Sequence, residues 1–532
     1  MFSQTFGIQN YLPLLTAEQA GKQKDQLAVT DGANFAWKAR GPFSAYGNSP
    51  VSEFTAAPLQ RHPYLKRIAN TVYAFTATGV RRLEVDGSWA VAFAYSLETY
   101  DIRVQVESYK WSYAYVGTRH WFCHPQVGLI WYDEFENQWG QFWDDCWARP
   151  AFGITQAENR LVLLLRDVVL WSAFDRGDQF PHQWETGSGA QSLALIRYGR
   201  PLGVFAYNDG WVTFTTMGAM VSRPTMEAVI HPDGERTARG ALTFNHQEIT
   251  FENLPIGPAA ICSIDDQQVI WLARTGFYAF QPSAGGGFGA LAQWQPEMGL
   301  FYADSVVPNW PLVEPDFFGD VAAISWLPEM SAVAVSSKSL PDLAAYDRAH
   351  VFQTDIERWG SFDEHHTVFG PPASAEHQFT FLRSILQLRG VDHRNRAGSW
   401  VRVSPMRLQL PQEPSLNEGA ITSVQSIRLG TSKRFDALHT PVQQFQSTWG
   451  TSKRAAERET NCAVYISGGW DAETQNVDQG VTATLVHFNE RTRHYACDTT
   501  GMTHTITIAT EFPEQYFEVN SIELGFYLAG QI

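Results

Sequence analysis

Short apolar runs, each closed by a Gly, Pro or Asp turn, recur along most of this chain. In NTVYAFTATGVRRLEVDGSW, residues 70–89, two such runs are split by Thr78-Gly79 and closed by Asp86-Gly87, which is a hairpin signature. The segment 101–142 holds at least three more strands between Gly or Pro turns. In NRLVLLLRDVVLW, Val162–Leu165 and Val168–Trp171 flank Arg166-Asp167, and AICSIDDQQVIWLARTGFYAF repeats the alternation of run and turn. The pattern predicts strand clusters near 66–95, 101–142, 159–185, 191–217, 259–281 and 319–362. No long amphipathic helix is predicted; PDLAAYDRAH, residues 341–350, is the one stretch that reads as a turn or two of helix.

These clusters predict an all-β chain. Over 61–400 the expectation is a β-propeller, because radial repetition of small sheets disposes of the edges that one large open sheet would expose. Residues 1–60 are irregular and rich in Gly, Asn, Pro and Ser, with aromatics spaced through them, and read as an extended N-terminal arm. After residue 400 the Pro-bearing SPMRLQLPQEPSLNEG reads as a linker, and 401–532 as a second all-β unit, a β-sandwich-like domain. Within it Ser426-Ile-Arg-Leu-Gly430 is echoed by Ser521-Ile-Glu-Leu-Gly525.

One phrase is written twice. Trp139-Gly-Gln-Phe142 and Trp359-Gly-Ser-Phe362 share Trp-Gly-x-Phe, each after an aromatic or branched segment. The expectation is a packing device: Trp fills the space between neighbouring sheets, and Gly lets the chain turn.

Composition agrees with many short strands. The 532 residues include 19 Trp, 34 Phe and 19 Tyr, enough large rings to fill gaps between sheets, and 41 Gly. The formal net charge of −16 opposes a nucleic-acid binder, whose footprint should be basic, but does not argue against a channel that DNA must pass through without sticking. Five scattered cysteines (123, 146, 262, 462 and 497), with no CxxC pair, predict neither a disulfide framework nor a zinc knuckle. The N-terminus lacks a basic region followed by an apolar run, and no stretch approaches a membrane span, so a reduced, cytosolically made protein is expected.

Candidate chemistry is sparse. GxSxG, Walker A, HExxH and dinucleotide fingerprints are all missing from the sequence. The glycine run Gly285-Gly286-Gly287-Phe-Gly289 lacks the strand, helix and Lys of a phosphate cradle and reads as a loop. His120, Cys123 and His124 are soft ligands, but on a strand 120 and 124 share a face while 123 points away. Asp144-Asp145 and Asp265-Asp266 raise a glycosidase question; adjacent strand residues face opposite ways, and Asp265-Asp266 reads better as a hairpin turn. Trp143, Trp147 and Trp211 could stack on sugars or pack between sheets, and Arg389–Arg402 is the one local basic patch.

DGANFAWKARGPFSAYG near the start, the repeated-sheet middle, and the closing HTITIATEFPEQYFEVNSIELGFYLAGQI together resemble the tail nozzle or hub proteins of short-tailed bacteriophages, also called tail tubular protein B or packaged-DNA stabilisation proteins. The resemblance implies a non-enzymatic virion protein of the tail, assembled in the host cytoplasm, with a propeller and additional β domains. Such a protein forms a homohexameric ring below the portal or adaptor, meets tail fibre, spike or needle proteins, retains packaged double-stranded DNA and forms the channel for its ejection. It implies no catalytic residue, metal ligand or cofactor, and no channel-lining residue can be matched. The alternative is a carbohydrate-binding or carbohydrate-hydrolysing β-propeller.

Overall fold

The computed structural model describes residues 2–11, 26–32, 35–38, 41–44, 48–53, 64–95, 109–142, 151–174, 179–180, 184, 190–195, 197–227, 241–249, 254–273, 276–280, 291–293, 322–328, 331–337, 348–356, 358–363, 366–372, 377–382, 385–390, 406–409, 422–430, 463–469, 481–488, 492–501, 503–509 and 519–528. Apart from one 3-10 turn at Pro258–Ala260, the regular elements among them are strands. They divide into two compact units. The first comprises Met1–Glu53, Leu327–Ser336 and Asp347–Ile532, and the second Phe54–Trp326 with Ser337–Tyr346.

The second unit is a series of four-stranded antiparallel meanders, taken here in chain order. The first runs through Tyr64–Ile68, Thr71–Phe75, Gly79–Leu83 and Trp89–Ala94; the second through Ser112–Val116, Arg119–His124, Gly128–Asp133 and Gln138–Phe142. The third uses Ala151–Ala157, Arg160–Leu165, Val168–Trp171 and Gln191–Ala194, and the fourth Pro201–Tyr207, Gly210–Thr215, Gly218–Glu227 and Ala241–Ile249. The fifth uses Ile261–Ile264, Gln268–Ala273, Gly276–Phe280 and Leu291–Gln293. Local chemistry sets these hairpins. Glu158-Asn159 and Asp265-Asp266 both sit in the left-handed region that tight β-turns require, so Asp265-Asp266 is a turn, as its sequence suggests.

The core lies between successive meanders. Phe75, Tyr73, Phe122 and Ile130 pack the first against the second, and Trp121, Leu129, Leu161 and Leu163 pack the second against the third. Trp171 and Trp211 join third to fourth, and Phe214, Trp271 and Phe280 fourth to fifth. The second strands of the third and fourth meanders therefore bury both faces: Arg160–Leu165 and Gly210–Thr215 are buried at every position.

In the first unit, Ala332–Ser337, Arg348–Gln353 and Arg358–Asp363 share a sheet with Phe35–Lys38 and Gly41–Ser44. His366–Pro372, His377–Leu382 and Ile385–Gly390 are completed by Asn48–Glu53. A ten-stranded sheet runs in the order Val481–Thr482, Ala463–Gly469, Thr503–Ala509, Met406–Gln409, Gln26–Gly32, Phe2–Tyr11, Ser521–Leu528, Thr422–Gly430, Thr492–Gly501 and Thr484–Phe488.

Three expectations are corrected. Among the described residues the propeller expected over 61–400 is replaced by several small open sheets, none closed or curled on itself. Short-strand periodicity specifies a meander; it carries no information about closure, which depends on contacts far apart in sequence. Among the described residues of 401–532 the expected sandwich is replaced by one sheet, because every strand described there enters the same ten-stranded ladder. The described strands of residues 1–60 do not form a separate arm: Phe2–Gly7 pairs antiparallel with Ser521–Phe526, and Phe35–Lys38, Gly41–Ser44 and Asn48–Glu53 complete other sheets.

The echoed phrases turn out to be partners. Ser426–Gly430 and Ser521–Gly525 run antiparallel with Ile427 opposite Leu524 and Leu429 opposite Ile522, all four buried. The doubled Trp-Gly-x-Phe also has a common geometry. Each copy is the last strand of a hairpin, with an aromatic directly opposite its Trp: Tyr132 for Trp139 at 4.8 Å between ring centroids, and Phe352 for Trp359 at 5.0 Å. Trp139 also meets Tyr73, Phe75, Phe93 and Phe122, so it fills the gap between two meanders. Gly140 is required by close approach: a Cβ there would lie 2.4 Å from the Trp131 ring.

Candidate functional site

Several polar groups line a cavity of about 190 Å³ in the second unit, bounded largely by the first strands of the second to fifth meanders. Lys110, just before the second meander, donates from Nζ to the carbonyl of Ile261 at 3.5 Å and to that of Ile324. Burial holds its pKa down to about 8, with Cys262 opposing the shift. Tyr109 Oη donates to the Pro201 carbonyl at 2.6 Å, and Ser263 Oγ to the Ala206 carbonyl at 3.2 Å. Ser112 Oγ accepts the Ile154 N–H at 2.9 Å.

These bonds have one feature in common. Each ties a side chain of one sheet, or of the segment entering it, to the main chain of another. Strand ladders leave edge N–H and C=O groups that burial makes costly, and these side chains satisfy them. The chemistry on offer is therefore the joining of sheets: none of these bonds sets a nucleophile against a base. No spacing in the sequence marks this set, although a lysine inside the aromatic run YKWSYAY is the one signal that could have directed attention to Lys110.

A second cluster surrounds His120. Its Nδ1 accepts from Tyr113 Oη at 2.9 Å, and Nε2 faces Glu134 Oε1 at 2.8 Å. The Lys66 ammonium stands 3.5 Å from the Tyr113 ring centroid. Burial lowers the His120 pKa, Lys66 adds to that, and Glu134 opposes it. A neutral imidazole fits this arrangement, with Nδ1 accepting from Tyr113 and Nε2 beside the carboxylate. Tyr113 is shifted upward, by burial first and then by Tyr115 and Glu134, so its hydroxyl keeps its proton. The cluster anchors the turn after Gly128–Asp133. There Asp133 Oδ1 accepts the N–H groups of Phe135 and Glu136, and Asp133 Oδ2 pairs with Arg119 Nε at 3.1 Å.

The sequence-derived candidates separate in space. His120 and His124 lie on the face packed against the first meander, whereas Cys123 faces the third and donates Sγ–H to the Ala151 carbonyl at 3.2 Å. His124 is fully buried beside the Trp111 ring, and burial pushes its pKa down to about 3. The Cys123 thiol is pushed up to about 12 by burial, so it is a poor nucleophile. Among the described residues no cluster of three or more His, Cys, Asp or Glu could hold a metal, and Cys123, Cys262 and Cys497 are free thiols. Trp211 is fully buried against Trp171 and Phe244 and presents no face to a sugar. Asp265 accepts the Trp326 indole N–H at 3.1 Å. Asp144-Asp145, Trp143, Trp147, the 285–289 glycine run and most of 389–402 lie outside the described residues. Among the described residues no helix is long and apolar enough to cross a membrane.

No protein-family model matches the chain, and no curated protein matches it. Solved structures similar over long stretches include virginiamycin B lyase from Staphylococcus aureus, at 9% identity and TM-score 0.37, covering 65% of this chain and 98% of that one. YCF48 from Cyanidioschyzon merolae matches at 10% and 0.34, covering 65% and 98%. A chain of a mitotic checkpoint complex matches at 9% and 0.38, covering 67% and 96%. Likenesses at these scores carry no argument about this chain.

Proposed function

We propose that this chain is a structural virion protein of a short-tailed phage, a subunit of the ring-shaped tail nozzle below the portal or adaptor that retains packaged DNA and lets it out. The reading does not depend on a propeller. The observation that carries it is the way the resembling segments are used. Trp37 of DGANFAW is buried and donates its indole N–H to the carbonyl of Trp359 in the second Trp-Gly-x-Phe, with the Arg358 guanidinium 4.8 Å from the Trp37 ring. The closing SIELGF strand pairs with Phe2–Gly7. The resembling segments are thus structural members of one unit. The polar groups of the cavity are likewise engaged in joining sheets. A net charge of −16 suits a conduit that repels the DNA backbone.

Negative-stain electron microscopy of the purified chain over a concentration series tests the reading. Six-fold rings with a hole wide enough for duplex DNA are the expected result. Monomers alone, both free and with portal or adaptor protein present, would overturn it.

A further inference from the structure

Two turns of the second unit hold large apolar side chains out into solvent. Val85 is 107% exposed and Phe135 89%. The turns stand at the same end of adjacent meanders. Arg82, beside the first turn, is registered opposite Tyr73, whose ring lies 6.2 Å from that of Tyr132, one residue before the second turn begins at Asp133. Both turns are built rather than loose. Glu84 N–H donates to the Ser88 carbonyl, Gly87 N–H to the Glu84 carbonyl, and Ser88 to Asp86 Oδ1. The Phe135 turn is fixed by Asp133, Arg119 and the Glu134–His120 contact. Acids surround the two knobs: Glu84, Asp86, Glu134 and Glu136, with Arg82 paired to Glu84.

A second patch on the same unit has the opposite character. Met217 is 63% exposed at the turn between Gly210–Thr215 and Gly218–Glu227. Its N–H is bonded to Thr215 Oγ1, and the neighbouring segment is tied in through Arg200 N–H to Thr216 Oγ1 and Thr216 N–H to the Arg200 carbonyl. Arg197 and Arg200 are exposed on the segment bonded to this turn, with Arg166 exposed on the turn whose Asp167 carbonyl accepts the Leu195 N–H; the acids near it include Glu248, which contacts Tyr198, and Asp167.

We infer that these unlike patches bind each other between two copies of this chain, the acidic Val85/Phe135 end of one against the basic Met217 turn of the next. The inference rests on the ring reading above. Apolar side chains held in fixed turns lose little freedom on binding, so burying them yields more of its hydrophobic gain. The opposed charges steer the approach and select the register. A contact between unlike surfaces is head-to-tail, the kind that closes into a ring when the rotation per subunit permits.

The test is sedimentation velocity of the full chain over a concentration series, with circular dichroism confirming that each variant is folded. Glu136→Arg and Arg200→Glu, both at exposed positions, should each weaken self-association by roughly tenfold, and the two together should recover most of it. Phe135→Ser should weaken it at least as much as either reversal. If the wild type assembles and every variant assembles equally well, the contact is wrong while the ring reading stands. Single reversals that weaken assembly without recovery in the double variant overturn the pairing of these two patches. No self-association of the wild type at any concentration removes the contact and leaves the ring to the experiment with portal present.

Discussion

His124 offers a prediction whose sign and size both follow from its surroundings. It is fully buried on the Arg119–His124 strand beside Trp111, and burial depresses its pKa to about 3. In the unfolded chain the same imidazole titrates near 6.5. Between those values the unfolded state carries one proton that the folded state does not, so stability falls as the pH drops through 6.5 toward 3. One such proton corresponds to about 1.4 kcal/mol per pH unit. Other groups titrate in the same window, including His120 and His246, whose pKa values burial also lowers, so the quantity to measure is a difference. His124→Leu removes the titrating group; lost contacts with Trp111 and the Gln126 N–H shift its stability by an amount that does not depend on pH. Urea unfolding followed by tryptophan fluorescence, run at intervals from about pH 6 to pH 4.5, should show the wild type losing about 2 kcal/mol more than the variant. Parallel stability curves would refute the reasoning, since they would mean that the imidazole is protonated, or solvated, in the folded state.

Three more outcomes follow from packing and hydrogen bonding. Gly140→Ala places a methyl 2.4 Å from the rigid Trp131 ring and should lower stability by roughly 1–3 kcal/mol, read as a shifted urea midpoint. Trp139→Ala empties a gap shared by five aromatic rings and should cost about 3 kcal/mol, whereas Trp139→Phe should cost clearly less; equal losses would show that the indole is not the filler. Ser112→Ala deprives the Ile154 N–H of its acceptor and should cost roughly 1–3 kcal/mol in thermal or urea melts, with Ser112→Thr restoring part of it.

Strand identity and hairpin chemistry were legible because they are local. The period-two runs and their Asn, Asp and Gly turns are set by side-chain alternation and by which residues tolerate left-handed backbone, so Val162–Leu165 and Val168–Trp171 appear as strands where the sequence places them. The Trp of Trp-Gly-x-Phe was legible as packing, but its Gly, expected to let the chain turn, lies inside a strand in both copies, at Gly140 against the Trp131 ring. The cavity was not legible. Lys110, Tyr109, Ser112 and Ser263 are ordinary residues at unremarkable spacings, and they acquire a role only when carbonyls and an amide some 40 to 215 positions away are brought against them. The pairing of Ser426–Gly430 with Ser521–Gly525 lies between these cases: the echo was visible, the partnership was not.

By itself, then, the sequence determined an all-β chain of short strands, the position of several of its turns, and an acidic, aromatic-rich composition. Tertiary structure alone decided which strands share a sheet. It set Phe2–Gly7 against Ser521–Phe526, drew Phe35–Lys38 and Asn48–Glu53 into sheets with strands beyond residue 357, and left the sheets open. The physical reason is that a strand's own pattern fixes which face it buries, whereas the edge N–H and C=O groups through which it pairs are alike on every strand and do not choose its ladder partner. That choice is made by the whole chain's packing, after local structure has left many edges equally able to pair.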